Sequence, residues 1–416
     1  MKKLSLFLLS VSALALAAAL IAPGFVGPKV EETWKQQLGQ IQGGRVLDYQ
    51  RGWFGAEAST EVLSSEGNTE LRSNIQHGPV LFTAGGPRLG AVYSETRLTV
   101  GQLAPSLRVQ LEKFYGRLDH SPLVLETLVG TDNRVLNTLR LEPFTRSDSG
   151  GELKFDGARL LFETDYRGTA LDGTFEVGAA QLTKGGVEKF HSEPAQGRFH
   201  YAVAERRGEA NLALSMLRGE SESGPLELHD ASLQLDLEQL DSGRLKLVSD
   251  LVLPQIQSAT PISSVKQHLI LPQISVADLA HYLGALMLPA TQRNWQRVMQ
   301  RPLQLQQQLA IESANGPVMM DADVDWRGLP VSARPVKLAP GQWLEPMTGT
   351  ATFSAAEQAL MQSPLVAQAM MLRQYGLLLE NDGELQMHLE VNRGDLQVNG
   401  QQLPPDLFML ALTGQF

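Results

Sequence analysis

The sequence predicts an α+β protein made predominantly of antiparallel β-structure: elongated or curved sheets with a few short amphipathic helices, after an N-terminal transmembrane or signal helix. Three observations carry this reading. From about residue 150 onward apolar residues recur at every second position, the period that puts one strand face in a core and the other in water. The 38 Gly and 22 Pro of the 416-residue chain punctuate these runs at turn-like intervals. The third observation is an uncharged apolar run, Leu4 to Ala22, directly behind Met1-Lys2-Lys3.

That run is taken first. It is 19 residues long, on the border between a cleaved signal peptide and a helix spanning about 30 Å of hydrocarbon, and Pro23, Gly24, Gly27 and Pro28 end it. Ala15, Ala17 and Ala19 offer cleavage-like spacing, but Leu20 and Ile21 continue the apolar character past them, so an uncleaved anchor is the preferred reading. Lys2 and Lys3 place the N-terminus in the cytoplasm by the positive-inside rule. The expectation is a single-pass protein of the bacterial inner membrane with its bulk in the periplasm. Residues 1–28 form the signal anchor, 29–150 an N-terminal β-rich region, and 151–416 a C-terminal β-rich region with helices near 276–300 and 364–375.

The remaining elements follow from local pattern. Pro105 to Tyr115 carries Leu107, Leu111 and Phe114 on one helical face. Phe162, Thr164 and Tyr166 alternate with Glu163 and Asp165, and after Gly168 the pattern resumes at Leu171, Phe175 and Val177, which reads as a hairpin. Leu233, Leu235 and Leu237 alternate with Gln234, Asp236 and Glu238. Met320, Ala322, Val324 and Trp326 alternate with Asp321, Asp323 and Asp325. One wet and one apolar face is the mark of antiparallel sheet. Ser275 is a helix N-cap for Val276 to Leu286, Thr291 caps a short helix containing Trp295, Ser363-Pro364 starts another, and Gly376 stops it. Polar spacers at 147–151, 219–224 and 333–341 are candidate boundaries.

Composition and motifs exclude much chemistry. With 35 basic against 45 acidic residues, a formal charge of −10, nucleic acid is not an expected partner. The absence of Cys removes disulfides, thiol nucleophiles and Cys-based metal sites. The 8 His stand singly, without ligand-pair spacing. Ser263-Ser264-Val265-Lys266 matches a Ser/Lys nucleophile motif whose partner motifs are missing. Asp321, Asp323 and Asp325 imitate the start of a calcium loop, but Trp326 and Ser332 stand where its Gly and Glu belong, and the wet face of a strand accounts for them better. No catalytic, cofactor or metal residue is assigned, and no enzyme is expected.

Two stretches carry a family resemblance. Tyr49-Gln50-Arg51-Gly52-Trp53-Phe54, followed by Ile75-Gln76-His77-Gly78-Pro79, resembles the opening landmarks of the YdgA-like family of bacterial envelope proteins, and Gly394 to Pro404 is similar to that family's finish. Gly55-Ala56 departs from it where Ser is frequent. The resemblance implies an inner-membrane-anchored, exported protein of unknown function and supplies no catalytic residues. Read physically, these motifs are architectural. Gly52 forms a turn that feeds Trp53 and Phe54 into a core, Gly78-Pro79 turns the chain after a strand with a structural His77 before it, and Asn399-Gly400 is a two-residue hairpin turn.

Two functional readings follow. In the first, the periplasmic part binds or passes a lipid or other hydrophobic ligand in envelope maintenance, with Met320, Val324 and Trp326 lining a groove; its architecture is similar to that of the AsmA-like envelope proteins. In the alternative it is a ligand-free scaffold for an envelope complex. The partners expected are the inner membrane, through the N-terminal helix, and a lipid or an envelope protein.

Overall fold

Antiparallel pairing dominates the computed structural model, as one-sided apolar alternation requires. The structure describes residues 27–36, 43–64, 67–132, 134–148, 150–165, 169–221, 224–241, 243–259, 261–286, 295–329, 340–363 and 365–408. Leu4–Ala22 and Thr291 therefore lie outside the described residues. Among the described residues, no helix is long and apolar enough to cross a membrane. The chain divides into two compact units, Met1–Ala204 and Glu205–Phe416.

In the first unit, helix α1 (27–36) precedes β1 (Gly44–Arg51), β2 (Gly55–Ser64) and β3 (Gly67–His77). A separate ribbon, β4 (Val80–Thr83) with β5 (Gly86–Leu89), branches off before β6 (Val92–Leu98). Helix α2 (Pro105–Tyr115) leads to β7 (Leu123–Val129) and β8 (Arg134–Leu141). Next come β9 (Phe144–Asp148), β10 (Gly151–Phe155), β11 (Ala158–Asp165) and β12 (Ala170–Val177), then β13 (Ala180–Lys184), β14 (Val187–Ser192) and β15 (Ala195–Ala202). The main ladder runs β1-β2-β3-β6-β7-β8-β11-β12-β15.

The strands β9-β10-β13-β14 form a second ladder, and each is the continuation of a main-ladder strand across a break of two residues. The breaks line up: Glu142-Pro143, Asp156-Gly157, Gly178-Ala179 and Glu193-Pro194 stand side by side. Pro cannot donate to a ladder, and Gly157 adopts φ +90°, which side chains disfavour. The pairing survives the break, with the Asp156 N–H donating to Ala179 O at 2.9 Å and the Gly178 N–H to Gly157 O at 2.7 Å. The result is an interruption aligned across four strands. Helix α2 seats on the far side of it, where Tyr115 and Phe155 flank Phe144 with ring centroids 4.8 and 5.5 Å away. The spacer 147–151 holds the β9–β10 turn.

The second unit is a longer-stranded ladder. It contains β16 (Arg207–Ser221), β17 (Gly224–Asp241), β18 (Arg244–Leu253), β19 (Gln255–Ser258), β20 (Ile262–Ser275), α3 (Val276–Leu286) and α4 (Trp295–Val298). There follow β21 (Leu303–Ser313), β22 (Gly316–Trp326), α5 (Pro340–Leu344), β23 (Met347–Ala356), α6 (Glu357–Met361) and α7 (Val366–Gln374). The last strands are β24 (Leu379–Asn381), β25 (Glu384–Asn392), β26 (Asp395–Val398) and β27 (Gln401–Leu403). Pairing runs β16-β17-β18-β20-β21-β22-β23-β25-β26-β27. The spacer 219–224 includes the end of β16 and the start of β17, where Ser221 pairs with Gly224.

Several expected signals are met in detail. Ser275 caps α3: its Oγ accepts from the Asp278 N–H at 2.9 Å and donates to Asp278 Oδ2 at 2.6 Å, satisfying an N–H the helix leaves free. Gly376, at φ +68°, closes α7, and the Leu377 N–H returns to Leu372 O at 2.8 Å. Asn399 and Gly400, at φ +53° and +79°, form the two-residue turn between β26 and β27. The core of this unit gathers Leu385, Val391, Leu396 and Val398 beneath Leu360, Ala369 and Leu372 of α6 and α7.

Candidate functional site

Strand register in the second unit assembles a largely apolar face, on which Ser249, Gln267 and Gln307 stand among the leucines. Leu212 of β16 stands beside Leu233 of β17, which stands beside Leu251 of β18; in the next row Leu235 pairs Ser249, and in the one after it Leu237 pairs Leu247. Leu247 in turn pairs Leu271 of β20, and across β21 and β22 the pairs are Leu305 with Val324 and Leu309 with Met320. The opposite face carries Gln234, Asp236, Gln306, Asp321 and Asp323, and Gln306 Nε2 donates to Asp323 Oδ2 at 3.0 Å. The three aspartates thus belong to a solvated strand face. Among the described residues no group of three or more acidic or His side chains is arranged to hold a metal ion.

Cover over this apolar face is uneven. Beneath α6 and α7, Leu385, Leu396 and Val398 are almost wholly buried, at 0, 1 and 2% exposure. Across β16 to β21, Leu212, Leu233, Leu235, Leu237, Leu247, Leu251, Leu305 and Leu309 are all only half-buried. Side chains of neighbouring strands shield one another, and the described helices of this unit do not close the rows.

Met320 and Val324 fall on this face and are half-buried. Trp326 ends the same row but is buried at 5% exposure, its indole N–H donating to Met299 O at 2.9 Å. It is a wall of the adjoining core, held by a hydrogen bond that an indole needs once buried. A shallow pocket of about 480 Å³ lies elsewhere, at the β24–β25 hairpin, among Met319, Asp321, Phe353, Glu380 and His388. Its mixed lining marks no apolar ligand. Ser263, from the Ser/Lys motif, lies exposed on β20 and donates to Glu312 O at 3.1 Å, so it has no activating base in its hydrogen bond.

In the first unit the structure brings Tyr49–Phe54 and His77–Pro79 together at one end of the sheet. Gly52 donates to Gly55 O at 2.8 Å, closing a tight turn, and the His77 N–H donates to Phe54 O at 2.8 Å. The turn is as expected, but its aromatics are not in a core: Trp53 is 58% and Phe54 56% exposed. They occupy the two central turn positions, which project past the sheet end, and the adjoining core is filled by Ala56, Ala58, Ile75 and Tyr49 with Val30 and Trp34 of α1. Tyr49 is half-buried, and loss of hydration pushes its phenol up to about 12.

His77 is the buried member of the motif, at 2% exposure, its ring against Gly27 of α1. Burial, with a smaller contribution from the Arg51 guanidinium, lowers its basicity below the ordinary His value, partly offset by the backbone of Trp53. Arg51 Nη1 pairs with Glu31 Oε2 at 3.1 Å, tying β1 to α1. Gly78 is obligatory by packing, since a Cβ there would collide with the Gly90 carbonyl oxygen. The motif fixes where α1, the sheet end and the β4–β5 ribbon meet.

A family model described as a bacterial protein of unknown function, DUF945, matches residues 1–309. The chain belongs to this family. The matched part of this DUF945 member contains the whole His77 motif and the strands from β1 to most of β21. No curated protein and no solved structure matches the chain.

Proposed function

We propose that this DUF945 protein is a YdgA-like member anchored in the bacterial inner membrane by Leu4–Ala22, and that its periplasmic part holds a lipid or another hydrophobic molecule on the apolar face of the second unit. The observation that carries the reading is the half-buried leucine lattice from β16 to β21, set against near-complete burial of the same face under α6 and α7. Largely apolar surface of this kind marks a place where something apolar is met. The lysine-flanked N-terminal run supports the location. Binding requires neither a nucleophile nor a metal.

The test is photo-crosslinking in membranes. Full-length protein is exposed to a photoactivatable phospholipid, and adducts are mapped by peptide mass spectrometry. Adducts on β16–β21 are expected, reduced several-fold in Leu235→Asp. Adducts confined to the N-terminal run would leave the scaffold reading in its place.

A further inference from the structure

We propose that the end of the first unit built from the Trp53-Phe54 turn and the β4–β5 ribbon is a membrane-contacting tip, which sits in the headgroup region of an anionic phospholipid bilayer beside the N-terminal apolar run. The proposal rests on the anchored reading above for its geometry but concerns a different surface.

The ribbon inverts the usual polarity of exposed β-structure, in which the outer face is polar. Leu81 points inward and is fully buried, while Val80, Phe82 and Leu89 are 43, 67 and 74% exposed. Pro87, opposite Phe82, is exposed too. Trp53 and Phe54 join this patch through a chain of hydrogen bonds. The His77 N–H donates to Phe54 O at 2.8 Å, and next to it Gln76 clamps Phe82 twice, Nε2 donating to Phe82 O at 2.9 Å and Oε1 accepting from the Phe82 N–H at 2.8 Å. The turn and the ribbon are thus both tied to the last residues of β3, Gln76 and His77.

Where the chain leads decides what they meet. A Cβ at Gly27 would lie 3.0 Å from the His77 ring and 3.3 Å from Arg51, so the start of α1 is at this same end of the sheet. From Gly27 the sequence needs five residues to reach Ala22, the end of the apolar run, and five residues span at most about 18 Å. If that run crosses a bilayer, the tip faces the interface, where Trp and other amphipathic aromatics partition. Charge agrees. Residues 49–56 and 78–94 contain no acid and two bases, exposed Arg88 and Arg51, the latter paired with Glu31 of α1, in a chain of net charge −10. An aromatic tip whose own loops carry no acid and present Arg88 suits anionic lipid headgroups.

The chain has no native cysteine, so one label reports one position. Full-length Phe82→Cys, carrying an environment-sensitive fluorophore, is reconstituted in vesicles of phosphatidylethanolamine and phosphatidylglycerol, beside Leu63→Cys at the far end of β2, about 26 Å along the strand. Lipids carrying a quencher near the headgroup should quench position 82 several-fold more than position 63. Leu89→Cys repeats the measurement if Phe82→Cys does not fold. Equal quenching at the two ends, or ready quenching of position 82 by aqueous iodide, would overturn the tip. So would protection without lipid quenching, which would mean that Leu4–Ala22 or a second copy covers the patch. Carbonate washing separates the two readings. Protein retained in membranes with a water-exposed label fails the tip alone. Protein released by carbonate fails the anchor, and the released full chain, added to the same vesicles, must still show the quenching at position 82 for the tip to stand.

Discussion

Trp53 and His77 meet at one turn, where the His77 N–H donates to the carbonyl of Phe54, and they respond oppositely to substitution because one is outside and one inside. Truncating an aromatic in a core costs about 3–5 kcal/mol. Trp53 is more than half exposed, so Trp53→Ala should change stability by no more than about 0.5 kcal/mol, measured by thermal or denaturant unfolding. His77 should make stability depend on pH. Its folded-state basicity is lowered, chiefly by burial, so the unfolded chain binds the proton more readily, and the contribution to stability grows as pH rises. That contribution is complete above the unfolded value near 6.5 and falls away as pH drops below it. The midpoint temperature of the wild type should therefore fall more steeply between about pH 6.5 and 5 than that of His77→Phe; parallel profiles would assign the acid sensitivity elsewhere. Sequence reasoning placed the turn correctly because Gly and a following aromatic pair are local signals. It misplaced the rings because exposure depends on which residues fill the adjacent core, and small Ala56 and Ala58 leave room for α1, not for Trp53.

At the scale of elements, local chemistry was the most legible. Helix α2 begins at Pro105, α3 follows the Ser275 cap, α7 ends at Gly376, and Asn399-Gly400 turns β26 into β27. Each rests on one side chain or one dihedral angle, which the sequence states outright. Ser275→Ala should cost about 1 kcal/mol by removing the acceptor for the Asp278 N–H, with Ser275→Thr, which keeps a hydroxyl that accepts from that N–H and donates to the Asp278 carboxylate, retaining most of the stability. The aligned strand breaks were not legible, because Pro143, Gly157, Gly178 and Pro194 are far apart in sequence and are aligned only by register. A Cβ at Gly157 would lie 2.7 Å from the Leu141 carbonyl oxygen at a φ unfavourable to any side chain. Gly157→Val should lower the unfolding midpoint well beyond the change produced by Gly185→Val, a turn glycine with open space around its Cβ site, although both have positive φ.

For the molecule as a whole, the alternation of Leu233, Leu235 and Leu237 foretold an apolar face, but periodicity is silent on what covers it. The second unit contains its own control. Leu385 and Leu235 both point to the apolar side of the ladder, yet Leu385 is fully buried under α6 and α7 and Leu235 only half-buried. A carboxylate at the first position has no route to water, and burial of an unpaired charge is among the few single changes that remove most of a domain's stability. At the second, a short side chain on a face still partly open keeps its hydration. Leu385→Asp should therefore abolish the cooperative unfolding transition of the full chain, while Leu235→Asp should leave a clear transition at a modestly lower temperature. The comparison bears directly on ligand binding. If Leu235→Asp proves as damaging as Leu385→Asp, the leucine lattice is closed core and has no place for a lipid. If it is tolerated and lipid adducts fall, the open rows are where the hydrophobic ligand lies.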